Sequence, residues 1–262
     1  MNISLIGSGN VATHLAQALY DLKHQIVQVY SQNLKNAQQL ASLVQAQPVS
    51  QLQELQPADL YLIAVKDSAI AEIAAQLAPL TIQGIVAHTS GSTALDAIQQ
   101  SSPHYGVFYP LQTFSKAKAV DFSQVPLLLE GSSAKVIQQL DILARQLSTQ
   151  VYHYSTQQRR SLHLAAVIAC NFSNYLYSVA DDYLTRQGVD FDLLKPLILE
   201  TASKIQHHAP IHMQTGPAVR HDQGILDMHQ QMLESQPQLQ QVYELLSQGI
   251  MHLHMSGNEN QR

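Results

Sequence analysis

The fold is decided by one stretch near the start of the chain, Ile3-Ser4-Leu5-Ile6-Gly7-Ser8-Gly9-Asn10-Val11-Ala12. Its first four residues have the apolar character of a buried strand, and the residues after Gly9 repeat apolar side chains with the period of a helix. In such a unit Gly7 permits a tight turn and Gly9 lets a diphosphate approach the backbone, while the helix N-terminus offers free N–H groups. The stretch predicts a dinucleotide site formed by Gly7, Ser8, Gly9, Asn10 and Val11, with a purely structural glycine turn as the alternative.

Short apolar runs alternate with helical segments through the first half of the chain, which is typical of βαβ units around a parallel sheet. The predicted strands are Ile3–Ile6, Ile26–Tyr30, Leu60–Val65, Ile85–His88, Tyr105–Tyr109, Pro126–Leu129 and Gln150–Tyr154. After residue 155 helical periods dominate, with a long helix up to Gly188 and helices over Lys195–Gln206 and Gln236–Leu253. We therefore predict a doubly wound, mostly parallel α/β domain of the Rossmann type over residues 1–154 and an all-α domain over residues 155–262.

The composition argues against several classes of protein. The 262 residues include 14 basic and 19 acidic side chains, a net charge of −5, and form no basic stripe, so we expect no nucleic-acid partner. No apolar stretch reaches the roughly 20 residues of a membrane helix and no leader is recognisable, so we expect a soluble, cytoplasmic protein without membrane contact. The single cysteine, Cys170, fits a reducing compartment and is predicted to be a packed core thiol.

The residues that follow the second predicted strand bear on the choice of cofactor. An NAD enzyme usually carries an acidic residue here for the ribose 2′-hydroxyl, whereas this chain has none in Tyr30-Ser31-Gln32-Asn33. Without a carboxylate a 2′-phosphate is not repelled, and Ser31, Asn33 and Lys35 can donate hydrogen bonds to one. The sequence thus favours NADP(H), although these residues are also ordinary polar turn residues.

Five blocks of the sequence resemble a known family. They are Gly7–Leu19, His88–Ser92, Gly106–Phe114, His163–Tyr177 and Gln214–Arg220. The chain resembles bacterial Rossmann-like oxidoreductases with a C-terminal domain of unknown function (DUF2520), which are related to pyrroline-5-carboxylate reductase, ketopantoate reductase, 3-hydroxyisobutyrate dehydrogenase and deazaflavin-dependent NADP reductases. The resemblance implies an NADP-binding domain, a helical domain like the C-terminal domain of 6-phosphogluconate dehydrogenase, and homodimers formed through the helical domains.

The resemblance also implies that the turn Ala64-Val65-Lys66 and His88 line the cofactor. The general rule that ligands bind at the carboxyl ends of parallel strands points to the same turns. The hydroxyls and backbone of Ser90, Gly91 and Ser92 are expected to face the substrate, with helix capping as the alternative role for the two serines. In the Gly106–Phe114 block we assign Gln112 to the substrate as well.

His163 is the leading candidate for the proton donor. On an α-helix His163, Asn171 and Asn174 lie near one face, so that an imidazole and two amides would point into a cleft between the domains. Related dehydrogenases use a Lys on this helix, which is absent from that face here, so His163 would supply the proton and the two asparagines would orient the substrate. A core histidine with two structural amides is the alternative.

A polar loop in the second half, Gln214–Asp222, surrounds a Gly-Pro turn and carries Arg220, which we predict to bind a substrate carboxylate. A helix-capping loop at a subunit contact is the alternative. The chain has 13 His, but their spacings do not form a zinc pair and no Cys pair exists, so we expect no metal.

The combined prediction is an NADP(H)-dependent oxidoreductase that transfers hydride to or from a small carbonyl, imine or hydroxy compound bound between the domains. Because the expected Lys is missing, a nucleotide sensor or scaffold protein without turnover is the alternative. Reduction of a deazaflavin by NADPH is a third and weaker hypothesis.

Overall fold

The computed structural model describes residues 1–259, with side chains as far as Met255, and these residues form two compact units. The first unit is Met1–Ser173 and the second begins at Asn174. The helix that follows residue 155 thus groups with the first unit by its contacts. The functional division after residue 154 remains a prediction.

The first unit is built on one eight-stranded sheet with the order β3-β2-β1-β4-β5-β6-β7-β8. The strands are β1 Asn2–Ile6, β2 Gln25–Tyr30, β3 Gln47–Val49, β4 Leu60–Ile63, β5 Ile85–His88, β6 Tyr105–Pro110, β7 Leu127–Gly131 and β8 Val151–His153. Strands β1 to β6 are parallel to their neighbours, and β7 is antiparallel to β6. The doubly wound, mostly parallel sheet predicted from the sequence is confirmed. Only the short edge strand β3 was not predicted.

Helices cover both faces of this sheet. They are α1 Asn10–Asp21, α2 Leu34–Leu43, α3 Asp67–Leu77 and α4 Ala134–Leu147, followed after β8 by α5 Thr156–Ala166 and a π-helical segment, Val167–Phe172. Strands β4 and β5 are buried along their whole length, as expected for a parallel sheet covered on both faces. Two apolar clusters form the core, one around Leu5, Leu15 and Leu62 and the other around Ile6, Ile63 and Ile73.

The second unit is helical. It comprises α6 Ser173–Arg186, of which Ser173 is counted with the first unit, α7 Lys195–Lys204, α8 Pro210–Met213, α9 Gln223–Met232 and α10 Pro237–Glu259. Helices α9 and α10 are joined by a hydrogen bond between His229 Nδ1 and the Tyr243 hydroxyl of 2.8 Å. The helical prediction for this half of the chain is confirmed.

The prediction for Cys170 is wrong, because its side chain is exposed. It lies in the π-helical segment, where Ile168 and Phe172 are exposed as well. Apolar character in this segment therefore does not indicate burial within the single chain.

Among residues 1–259 no helix has both the length and the apolar character needed to cross a membrane. In the same part of the chain, His, Cys, Asp and Glu side chains do not gather into a group of three that could hold a metal ion.

Candidate functional site

The carboxyl ends of the parallel strands open onto one cavity of about 720 Å³, a size typical of ligand sites. All of its lining residues belong to the first unit. The lining residues that the sequence predicted are Gly7, Ser8, Gly9, Asn10, Val11, Ser31, Ala64, Val65, Lys66, Ser90, Gly91, Gln112 and His163. Those not predicted include Tyr30, Gln32, Asp67, Thr89, Tyr109 and Phe114. The topological rule for parallel sheets thus located the cavity correctly.

The glycine-rich turn has the geometry that its sequence requires. Gly7 has φ +123°, and a Cβ built on it would lie 2.2 Å from the carbonyl oxygen of Ala64, so no other residue fits. The open side of the turn is at Gly9, where an added Cβ would meet nothing within 4 Å. Helix α1 begins here without a side-chain cap and without an acidic residue in its first turn. Its first N–H groups are therefore free to bind an anion.

A segment after β6 crosses this turn and is tied to helix α1. The Asn10 amide donates to the carbonyl of Phe114 over 2.9 Å, and His14 Nε2 contacts the carbonyl of Ser115 over 2.9 Å. Next in the chain, Lys116 places Nζ 3.4 Å from the carbonyl oxygen of Ser8. The sequence gave no local signal for this cation, because its approach to Ser8 depends on the path of the segment.

At the end of β2 the Ser8 hydroxyl donates to the Ser31 hydroxyl over 3.0 Å, which joins the glycine-rich turn to the residues predicted to choose the cofactor. Asn33 does not line the cavity, because it caps α2 and accepts a hydrogen bond from the Lys35 N–H. Lys35 is exposed on α2 and is also outside the lining.

His163 lies against Tyr109 from strand β6. Its Nδ1 is 3.1 Å from the Tyr109 hydroxyl, and the two rings meet edge to face. Burial raises the pKa of Tyr109 to about 12, and the Asp67 carboxylate raises it further while the Arg159 charge opposes the shift. Tyr109 therefore stays protonated at neutral pH. The sequence predicted the strand that carries this residue but did not single it out.

Gly91 fills the space beside this pair. A Cβ added to Gly91 would lie 2.6 Å from His163 Nδ1 and 2.8 Å from Tyr109 Cζ. The backbone of the turn after β5 therefore packs directly against both rings, and only glycine leaves them room. The prediction that Gly91 belongs to the site is consistent with this position, although the reason is steric.

The structure does not bring His88 to the cavity, because its side chain is buried beneath the turn that it precedes. Its Nδ1 accepts from the Ser90 N–H over 3.2 Å, which leaves the proton of a neutral ring on Nε2. Burial and, next, the Arg159 charge lower the pKa of His88 to about 4. Ser92 is also absent from the lining and donates to Asp67.

The two asparagines predicted with His163 behave differently from it. Asn171 is exposed in the π-helical segment and does not line the cavity, since the α-helical spacing assumed for it does not hold between Val167 and Phe172. Asn174 and Arg220 belong to the second unit, where both side chains are exposed. Their predicted roles are untested by this geometry.

Two family models match the chain. Residues 2–91 match the NADP oxidoreductase domain described as coenzyme F420-dependent, and residues 125–250 match a domain of unknown function, DUF2520. No curated protein matches the chain.

Solved structures extend the comparison over nearly the whole chain. A Bacteroides fragilis protein described as a "putative NADP oxidoreductase" is 43% identical, with a TM-score of 0.91 over 96% of this chain and 98% of that one. A Thermotoga maritima protein is 19% identical, with a TM-score of 0.73 over 98% and 99%. The 1-pyrroline-5-carboxylate reductase of Streptococcus pyogenes is 13% identical, with a TM-score of 0.63 over 96% and 98%. At these last two identities the likeness shows the fold alone.

Proposed function

This chain belongs to the oxidoreductase family that joins a coenzyme F420-dependent NADP oxidoreductase domain to a C-terminal domain of unknown function, and from this premise we propose that it transfers hydride between NADP(H) and a small carbonyl, imine or hydroxy compound. The observation that carries the proposal is the open recess over Gly9, beside the uncapped start of α1. A diphosphate needs both a bare backbone to approach and unpaired N–H donors, and the chain offers both at this point.

Several polar groups support NADP(H) as the dinucleotide. Ser31 and Gln32 line the cavity at the end of β2, where no carboxylate is present to repel a 2′-phosphate. Lys66 lines the cavity, and Lys116 lies over the carbonyl of Ser8, so two cations are near the proposed phosphates. We retain Asn33 and Lys35 as further donors on the rim of this region.

The Tyr109–His163 pair is the proposed source of the proton, while the nicotinamide, when bound, supplies or accepts the hydride. A neutral histidine and a protonated tyrosine carry two protons, one on a ring nitrogen and one on the hydroxyl. The hydrogen bond between them uses one proton, so either His163 Nε2 or the Tyr109 hydroxyl keeps a free donor. Because both side chains line the cavity, that donor can protonate a carbonyl oxygen or an imine nitrogen as hydride reaches the adjacent carbon.

The substrate is proposed to lie against the turn after β5. Ser90, Gly91 and Gln112 line the same cavity as the pair and provide hydroxyl, backbone and amide groups. Roles for Ser92, Asn171, Asn174 and Arg220 in substrate binding are kept as predictions.

We also propose a homodimer formed through the helical unit. Three leucines of that unit, Leu197, Leu199 and Leu245, are between 62% and 71% exposed in the single chain. Burying each side chain against a second copy would contribute about 1.5 to 3 kcal/mol. The single cysteine leaves no internal disulfide to form and is compatible with the cytoplasmic location predicted from the sequence.

The test of the proposed function is a fluorescence titration with NADPH and with NADH, followed by NADPH oxidation assays against a panel of aldehydes, cyclic imines and an oxidised 5-deazaflavin. The deazaflavin is included because the matching family model is coenzyme F420-dependent. We expect saturable binding with preference for NADPH, and turnover that His163→Ala abolishes while cofactor affinity is kept. No response at millimolar NADPH would refute the proposal, and binding without turnover on any compound would favour the sensor hypothesis.

A further inference from the structure

One arginine at the start of helix α5 is completely buried, and the proposed reaction does not use it. Arg159 has no exposed surface and is the largest fully buried side chain of the first unit. A charged side chain is rarely enclosed in this way unless its partners compensate the loss of water. Its partners therefore indicate what the burial achieves.

Most of the hydrogen bonds of Arg159 go to the turn that follows β5. Its Nη1 contacts three backbone carbonyl oxygens of that turn, those of Ser90 at 3.0 Å, Gly91 at 3.1 Å and Thr93 at 2.7 Å. A single planar group thus fixes three consecutive points of a loop that has no strand or helix to hold it.

The other side of the guanidinium is anchored to strand β7. Its Nη2 donates to Glu130 Oε2 over 3.1 Å and to the Thr156 hydroxyl oxygen over 3.2 Å. Glu130 in turn accepts from the N–H and from the hydroxyl of Thr156, both over 2.8 Å. The carboxylate is therefore held in place before it pairs with the arginine, and the arginine position is set by two separate elements.

The turn held by Arg159 contains Gly91, which packs against His163 and Tyr109. Since a Cβ on Gly91 would lie within 2.8 Å of both rings, a small movement of this backbone changes the space available to the pair. Arg159 does not line the cavity and touches neither ring by hydrogen bond. Its effect on the pair must pass through the turn.

From these contacts we infer that Arg159 is a positioning residue, which holds the Ser90–Thr93 turn against Tyr109 and His163 and thereby maintains the hydrogen bond between them. The inference rests on the proposed function for its catalytic meaning. The positioning itself can be measured without substrate or cofactor.

The experiment follows the ¹⁵N chemical shift of His163 Nδ1 in the full chain, assigned by the loss of its signal in His163→Gln. In the wild type, Tyr109→Phe removes the hydrogen bond and shifts this resonance. In an Arg159→Met background we expect the same Tyr109→Phe change to shift it by less than half as much. Arg145→Met is the matched control, because it removes an equal charge from an exposed ion pair with Asp141, and there the full shift is expected.

A full-sized shift in folded Arg159→Met would overturn the inference. Should that variant fail to fold, Thr156→Val decides instead, since it removes the hydroxyl that joins Glu130 and Arg159 while keeping the shape of the side chain. A full shift in Thr156→Val would then overturn the inference as well. An NADPH titration in parallel separates the two proposals: absence of binding with the reduced shift rejects the proposed function alone.

Discussion

Replacing Gly91 by alanine should disable the proposed proton donor while leaving the cofactor site intact. The added Cβ would lie 2.6 Å from His163 Nδ1 and 2.8 Å from Tyr109 Cζ, whereas ordinary contact begins at 3.4 Å. One ring or both must therefore retreat by about 0.6 to 0.8 Å. Because the contacts fall on the nitrogen of the hydrogen bond and on the carbon that bears the hydroxyl, the 3.1 Å separation of the pair cannot be kept.

The expected cost follows from this displacement. A misplacement of about 1 Å in a catalytic group lowers the rate by roughly 10²-fold, so kcat should fall about 10²-fold. Overpacking of this kind also costs about 1 to 3 kcal/mol of stability. The Kd for NADPH should not change, since the recess over Gly9 is formed by the first turn of the sheet and does not involve Gly91.

The assay compares the variant with Gly249→Ala, which adds the same methyl group in helix α10 where nothing lies within 4 Å. NADPH oxidation is measured with a substrate found in the panel, together with NADPH affinity and urea unfolding. Wild-type kcat in a folded Gly91→Ala protein would refute the reasoning, as would a structure of the variant with the Tyr109–His163 hydrogen bond unchanged.

Three further predictions follow from the same geometry. Gly9→Ala should leave the free energy of unfolding nearly unchanged, because its Cβ meets nothing, but should weaken NADPH binding in a fluorescence titration, and equal affinity would contradict a diphosphate at Gly9. Gly7→Ala should unfold at clearly lower urea, because its Cβ would lie 2.2 Å from a backbone oxygen at φ +123°, and wild-type stability would show that the turn can rearrange. Since its pKa is lowered from 6.5 to about 4, His88 contributes stability that is complete above pH 6.5 and is lost as the pH falls to 4, about 3 kcal/mol in all. Unfolding curves of His88→Asn at pH 7.5 and pH 4 should lack that loss, and a pH dependence equal to that of the wild type would show that His88 is not its source.

The sequence by itself determined the fold class and the location of the dinucleotide turn. Both depend on local patterns: the period of apolar residues distinguishes strand from helix, and a left-handed φ with a backbone oxygen at Cβ distance admits only glycine at Gly7. The absence of a carboxylate after β2 is likewise visible without a structure. The short edge strand β3 escaped prediction, because three residues are too few to show a period.

Only the tertiary structure decided which side chains meet in the cavity. Tyr109 and His163 are 54 residues apart and approach each other because β6 and α5 pack side by side, which no local pattern encodes. A charge such as Arg159 is expected on the surface from its sequence alone, and it is buried here because Glu130 and three carbonyl groups converge on it from other elements. Burial of a charge depends on partners brought by the fold, whereas a turn or a strand depends on its own residues.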